Sequence, residues 1–171
     1  QNHLASSVMP LLLMLGLLFS LSVGSAFAQT YTSQISATNC DIIDQGFGNP
    51  DAANWSDPDC WDNSSGAGFP NGSDDIAVIE NGDVMFIDTG LPSSTLILSE
   101  LSINDGVVEP RAAIDLEVQG DITIGASGTL ELVEGSAAIN LVLEGDFQNN
   151  GTFLGQDCDA TSTVTFTSGG V

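Results

Sequence analysis

The residues able to do chemistry in this chain are overwhelmingly carboxylates. Asp and Glu number 23, against one cationic side chain, Arg111, and one histidine, His3. That inventory closes most catalytic routes. His3 lies in an N-terminal segment read below as removed on export, so no Ser-His-Asp or Cys-His arrangement and no histidine-rich zinc or copper site can be assembled. Without lysine there is no Schiff-base chemistry, no Lys-Asn isopeptide cross-link and no phosphate-binding loop. Paired carboxylates can hydrolyse a glycosidic bond. With 23 of them, however, any spacing arises by chance, and most carboxylates on a repetitive fold form its solvated face. Uronate lyases of β-helical build generally use a Lys or Arg base or clamp, and one arginine supplies little of that. The chain is expected not to be an enzyme.

Four groups of residues remain as candidates for binding or covalent roles. Asp57, Asp59 and Asp62, with Asp74 and Asp75, offer the oxygen ligands Ca²⁺ takes, without the glycine-spaced loop of a known calcium motif. Calcium is the one cofactor considered. Trp55 and Trp61 could stack on a sugar ring, although aromatic side chains in such a segment more often cover an open core. Cys40 and Cys60 flank a Gly/Asn/Asp-rich loop, and in an oxidising compartment a disulfide between them would close a loop of about twenty residues, worth on the order of 3 kcal/mol. Cys158 is left over. Its partner lies past Val171, or it stays a free thiol, or it competes for Cys40 or Cys60; the spacing leaves the connectivity open. Sequons at Asn54, Asn63, Asn71 and Asn150 mark potential glycan acceptors on surface loops.

The elements that must position these groups come from a repeat. Ile114-Asp-Leu-Glu-Val-Gln-Gly-Asp-Ile122 is restated as Ile139-Asn-Leu-Val-Leu-Glu-Gly-Asp-Phe147, an offset of twenty-five residues. Apolar and polar residues alternate up to a Gly-Asp corner, the period-two mark of a strand with one buried face. Beyond the corner, Gly128-Thr129-Leu130 recurs as Gly151-Thr152-Phe153, at an offset of twenty-three. A repeat of this length, built from short strands and glycine corners, cannot bury its apolar face alone and must stack on its neighbours as the coils of a β-solenoid do. Asp75–Ile87 and Thr95–Val108 are drafted as the preceding coils, and Val164 and Phe166 open a last one. Inward residues should stack on like residues one coil away, with Gly and Asn supplying positive φ at corners. Pro92 and Pro110 are expected between strand runs.

Three segments follow. Residues 1–28 read as a secretory signal peptide: Leu11–Phe19 is an apolar core and Ala26-Phe27-Ala28 a small-x-small cleavage site. Residues 29–73, rich in Asn, Asp, Ser and Gly and carrying both tryptophans, read as an irregular cap over the first coil, where an uncovered strand edge would template further pairing. Residues 74–171 read as solenoid coils. The missing initiator Met and the alternating strand opening at Thr163 suggest a fragment of something longer. Every carboxylate lies at or beyond Asp41, so the exported part keeps the formal −22. Such a surface repels DNA, RNA and anionic lipid, which removes nucleic acid and the membrane from the expected partners. Disorder is opposed by a hydrophobic fraction of 42% with regular alternation.

The order Trp55-Ser-Asp-Pro58, Trp61, Gly68, Pro70, Asp74-Asp75-Ile-Ala-Val78-Ile79 and Gly82-Asp-Val84, followed by Ser94-Thr-Leu96-Ile-Leu98 and Leu101-Ser-Ile103-Asn-Asp-Gly106, resembles the start of the eight-glycine domain and its bacterial relatives. Gly145-Asp-Phe-Gln-Asn-Asn-Gly-Thr-Phe153 resembles the coils of the same adhesin-like proteins. The resemblance spans roughly Trp55 to Val171. It implies a right-handed, single-stranded parallel β-helix in an adhesin-like protein of the Bacteroidetes type, at the cell surface or in the extracellular matrix. It also implies export by type IX secretion and a C-terminal sorting domain. The expected function is a non-catalytic structural or adhesive module, with a carbohydrate, a surface protein or further copies of the chain as partner. Two alternatives stand beside it: the N-terminal part of a secreted carbohydrate-active enzyme with its catalytic residues beyond Val171, and a protomer of an extracellular filament.

Overall fold

The computed structural model describes residues 28–45, 51–63, 66, 68–155 and 160–167. Among them the chain forms fourteen strands and one 3-10 turn, wound into a β-solenoid of about four coils. The strands are β1 (Gln29–Ser33), β2 (Ala52–Asn54), β3 (Trp61–Asn63), β4 (Asp75–Ile79), β5 (Asp83–Ile87), β6 (Thr95–Leu98) and β7 (Glu100–Pro110). They continue as β8 (Ile114–Val118), β9 (Ile122–Glu131), β10 (Val133–Glu134), β11 (Ala137–Leu143), β12 (Phe147–Asn149), β13 (Thr152–Leu154) and β14 (Val164–Phe166). The expected export signal, up to Phe27, and Cys158 lie outside the described residues.

Each coil contributes a strand to three faces. The first face stacks β1, β4, the leading half of β7, the leading half of β9, and β12, all in parallel. The second stacks β2, β5, the trailing halves of β7 and β9, and β13. The third stacks β6, β8, β11 and β14. The repeat read in the sequence is the register of the ladder. Ile114, Leu116 and Val118 pair with Ile139, Leu141 and Leu143, and beyond the corner Thr129 and Leu130 pair with Thr152 and Phe153.

Alternation puts one side chain in two into the interior, and the parallel register stacks those side chains into columns about 4.8 Å per step. One column runs Ala77, Leu101, Ile122, Phe147. Another runs Met85, Val108, Leu130, Phe153. The third face adds Leu96, Leu116, Leu141, Val164 and, beside it, Leu98, Val118, Leu143, Phe166. Apart from the members in the last coil, these residues are buried. A coil alone would leave its apolar side chains in water; stacking removes them, at roughly 25 cal/mol per Å² of apolar surface covered.

The phase of the coils differs from the one expected from the sequence. Leu96 and Leu98 close one coil and Leu101 and Ile103 open the next, because the apolar spacing widens from two to three across Ser99 and Glu100 and the chain turns there. Pro110 is also not between strands but is the last residue of β7. Its missing N–H costs nothing there, since the Arg111 N–H donates to the Ile87 carbonyl at 2.8 Å and continues the ladder.

Corners fall where glycine is required. Gly106, at φ 150, lies against the backbone of Asp83, and a β-carbon there would strike the Asp83 carbonyl oxygen. Gly145 stacks on Gly120, so the two Gly-Asp corners of the repeat rest directly on each other. Between the second and third faces, by contrast, the connection is irregular. It runs through 88–94, then 111–113, then 132–138 with the β10–β11 hairpin.

The segment 29–73 is partly regular. β1 and β2 pair in parallel on β4 and β5, so they supply two of the three sides of an additional coil. β3 then crosses antiparallel on the outer edge of β1.

Candidate functional site

The candidate residues cluster at the β1–β3 end of the stack, and the local chain geometry explains how each is held. A 3-10 turn over Pro58–Cys60 begins at Asp57, whose carboxylate accepts from the N–H of Asp59 at 3.0 Å and from that of Asp41 at 2.9 Å. Proline at the first turn position is preset for this geometry. The turn delivers Cys60 to Cys40, and the two sulfurs are joined as a disulfide. It closes a loop of twenty residues, so replacing both cysteines with serine is expected to lower unfolding free energy by about 3 kcal/mol. Urea titration with far-UV circular dichroism checks this.

Trp55 and Trp61 come together, but not as a platform. Their rings meet edge to face with centroids 4.8 Å apart. Trp55 is 0% and Trp61 3% exposed. Trp55 Nε1 donates to the Pro70 carbonyl and Trp61 Nε1 to the Trp55 carbonyl, each at 2.8 Å. Neither ring offers a face to solvent, so the sugar-stacking role is replaced by packing: the indoles close the interior of the first coil and tie 55, 61 and 70 together.

The five aspartates are not brought together. Among the described residues, the one set of three metal-ligating atoms lying within 4.8 Å of one another is Cys40, Asp57 and Cys60, and its two sulfurs are already bonded to each other. Asp57 and Asp75 spend their carboxylates on backbone amides, Asp75 accepting from Asn71 at 3.0 Å and Gly72 at 2.9 Å. These are turn-forming contacts. Asp59, Asp62 and Asp74 are exposed. Of the sequon asparagines, Asn71 and Asn150 are exposed and Asn54 and Asn63 half-buried. Asn63 accepts from the Gly66 N–H at 2.7 Å.

What the strands and turn do build is a polar cleft of about 320 Å³, lined by Gln34, Thr38, Asn39, Asp59 and Asp62 around the edge of Trp61. Its amide, hydroxyl and carboxylate groups suit a neutral, hydroxyl-rich ligand and repel an anionic one. The run Gln34 to Asn39 has no periodicity that would mark it in the sequence, and it lines the cleft where the Cys40–Cys60 disulfide ties it to the turn.

A second constellation lies on the outside of the second face. The Arg111 guanidinium lies 4.0 Å from the centroid of the Phe86 ring and pairs with Glu109 at 2.9 Å. Burial pushes the Glu109 carboxyl above its ordinary value; Arg111 opposes this, and Glu134 and Glu131 add to it. A raised carboxylate makes the ionised native state costly. That cost is absent where the group is protonated in both states and grows as pH rises through the ordinary carboxylate range to the folded value. Glu109→Gln is therefore expected to unfold at a higher temperature than the parent at neutral pH, the gain disappearing in acid. Thermal melts across pH check the sign.

Fold and site together define a three-faced β-solenoid with a disulfide-closed, tryptophan-plugged end. No family model, curated protein or solved structure matches the chain. Among the described residues no helix is long and apolar enough to cross a membrane.

Proposed function

We propose that this chain is a non-catalytic structural or adhesive module of an extracellular, cell-surface or matrix protein. The observation that carries the reading is the parallel stacking of strands on three faces, from β1 to β12, from β2 to β13 and from β6 to β14, with one register shift in the pairing of β7 with β9 between Ile103 and Asp105. A stack of coils hydrogen-bonded along its length acts as a stiff spacer. The polar cleft beside Trp61 is the contact surface of this reading, with a neutral glycan as the ligand class its lining favours. The acidic outer surface keeps the spacer soluble and clear of anionic neighbours.

Two measurements on the purified protein test this. A glycan array should return neutral glycans that are lost in an Asn39→Ala, Asp62→Ala variant and retained in a variant of the opposite end. A panel of polysaccharide and glycoside substrates should return no turnover. Sustained hydrolysis abolished by a single carboxylate substitution would instead make the chain an enzyme and end the proposal.

A further inference from the structure

Asparagine is thermolabile, most of all where glycine follows it and leaves its own amide nitrogen unshielded. That nitrogen can attack the asparagine Cγ. A five-membered ring forms, the bond to the side-chain nitrogen breaks, and ammonia leaves with the proton that the glycine nitrogen gives up. Water then opens the ring to aspartate or, with the main chain rerouted through the side chain, to isoaspartate. One water is consumed and one ammonia released, without a cofactor. Asn-Gly occurs three times in this chain, at Asn71-Gly72, Asn81-Gly82 and Asn150-Gly151, and the three asparagines are exposed.

The attack needs the glycine N–H released and its peptide plane turned toward the asparagine side chain. At two of the sites the backbone of a neighbouring coil opposes this. The Gly82 N–H donates to the Asp105 carbonyl at 3.0 Å, and Asn81, at φ 64, sits in a turn closed by the Asp83 N–H on the Glu80 carbonyl at 3.1 Å. The Asn150 N–H donates to the Ile124 carbonyl at 2.8 Å and the Gly151 N–H to Asn149 Oδ1 at 3.0 Å. Gly151 packs so closely that a β-carbon there would strike the carbonyl oxygens of Gly125 and Gly128. Freeing either glycine means parting coils. Asn71-Gly72 is held by one side chain instead. Both N–H groups donate to Asp75 Oδ2, at 3.0 Å and 2.9 Å, and the Asp75 N–H donates back to the Gly72 carbonyl at 2.9 Å. Asp75 is itself fixed as the first residue of β4, paired with Gln29.

We propose that Asn71 is a latent self-modification site, and that the Asp75 carboxylate holds back its conversion to aspartate and isoaspartate. The restraint is twofold. A charge-assisted hydrogen bond must break before the Gly72 nitrogen can turn. The carboxylate charge also opposes the negative charge that this nitrogen acquires as it loses its proton. Conversion would reach the tryptophan-plugged end directly. Asn71 follows Pro70, whose carbonyl accepts from the Trp55 indole N–H, so a methylene added to the main chain at 71 displaces that acceptor. It would also remove Asn71 as a glycan acceptor. This goes beyond the spacer reading and stands whether or not the cleft binds a glycan.

Peptide mapping by mass spectrometry of the purified protein aged at neutral pH, folded and in guanidinium chloride, tests it. In the folded parent Asn71 should persist, while in denaturant it converts along with Asn81 and Asn150. Asp75→Ala should speed conversion at Asn71 in the folded chain about tenfold or more, the factor lost with a hydrogen bond to a charged group, with Asn81 and Asn150 unchanged. Asp75→Asn keeps an oxygen for the two amides without the charge, and its rate should fall between those of the parent and Asp75→Ala. Conversion of Asn71 in the folded parent as fast as in denaturant overturns the proposal. So does an Asp75→Ala variant that converts no faster than the parent, or one that speeds all three sites alike, the mark of general loosening. If Asp75→Ala fails to fold, Asp75→Asn decides, a rate at Asn71 equal to the parent's counting against the proposal.

Discussion

Trp55→Ala is expected to cost about 4 kcal/mol of unfolding free energy, toward the top of the range for removing a buried aromatic side chain. Three losses combine. The side chain is fully buried, so its removal leaves a cavity. The Pro70 carbonyl loses the indole N–H that satisfies it, and a buried acceptor without a partner is costly. Trp61 keeps its bond to the Trp55 backbone carbonyl but loses its ring neighbour. Urea unfolding read by Trp61 fluorescence measures the effect. A loss below about 1 kcal/mol accompanied by abolished glycan binding would return Trp55 to the role of a sugar platform.

Leu116→Ala is expected to cost a similar amount, about 4 kcal/mol. Leu116 lies in the middle of a column, paired with Leu96 on one side and Leu141 on the other. The cost of a cavity depends on how far its surroundings can collapse. Here collapse would require bringing two coils closer than the hydrogen-bonded spacing of β6, β8 and β11 allows. Substitution of Val164 by Ala should cost well under 1 kcal/mol because that residue is 37% exposed. Leu116→Ala combined with Leu141→Ala should depart from additivity, since the two side chains would share one cavity. Chemical denaturation of the single and double variants gives the coupling directly. Full additivity would mean that the two leucines are not stacked.

How far the sequence reveals this architecture depends on which signal each residue carries. The coils from β8 to β12 are legible because two independent signals agree: strict alternation from Ile114 to Val118, and its restatement from Ile139 to Leu143. The Gly-Asp corners add a third, for a side chain at Gly145 would collide with Gly120 one coil away. The phase at Leu98 to Leu101 was hidden, since the widening of the apolar spacing across Ser99 and Glu100 reads equally well as a bulge within one strand. β1 and β2 were hidden for a different reason. Gln29-Thr-Tyr-Thr-Ser33 turns only Tyr31 and Ser33 inward, and Ala52-Ala53-Asn54 is too short to show a period; both are fixed by pairing with β4 and β5. Packing over the open core was the favoured reading of the two tryptophans, and both are buried; what was not legible is the pair of carbonyls, of Pro70 and of Trp55, that accept from their indole N–H groups. The contact of Arg111 with Phe86 was beyond reach, as the two residues meet only through the pairing of β5 with β7. The five aspartates illustrate the opposite failure. They are close in sequence, yet turn formation separates them and engages Asp57 and Asp75 with backbone amides.

The uneven connection between the second and third faces has an engineering and evolutionary corollary. Coil pitch and column packing are set by the strands and the glycine corners, so those positions can change little. The stretches at 88–94, 111–113 and 132–138 already differ in length and form without disturbing the register on either side. Foreign peptides grafted there would be carried at regular intervals along one ridge of a rigid rod. Natural variants of such a chain would be free to change their recognition properties along that ridge while leaving the scaffold untouched.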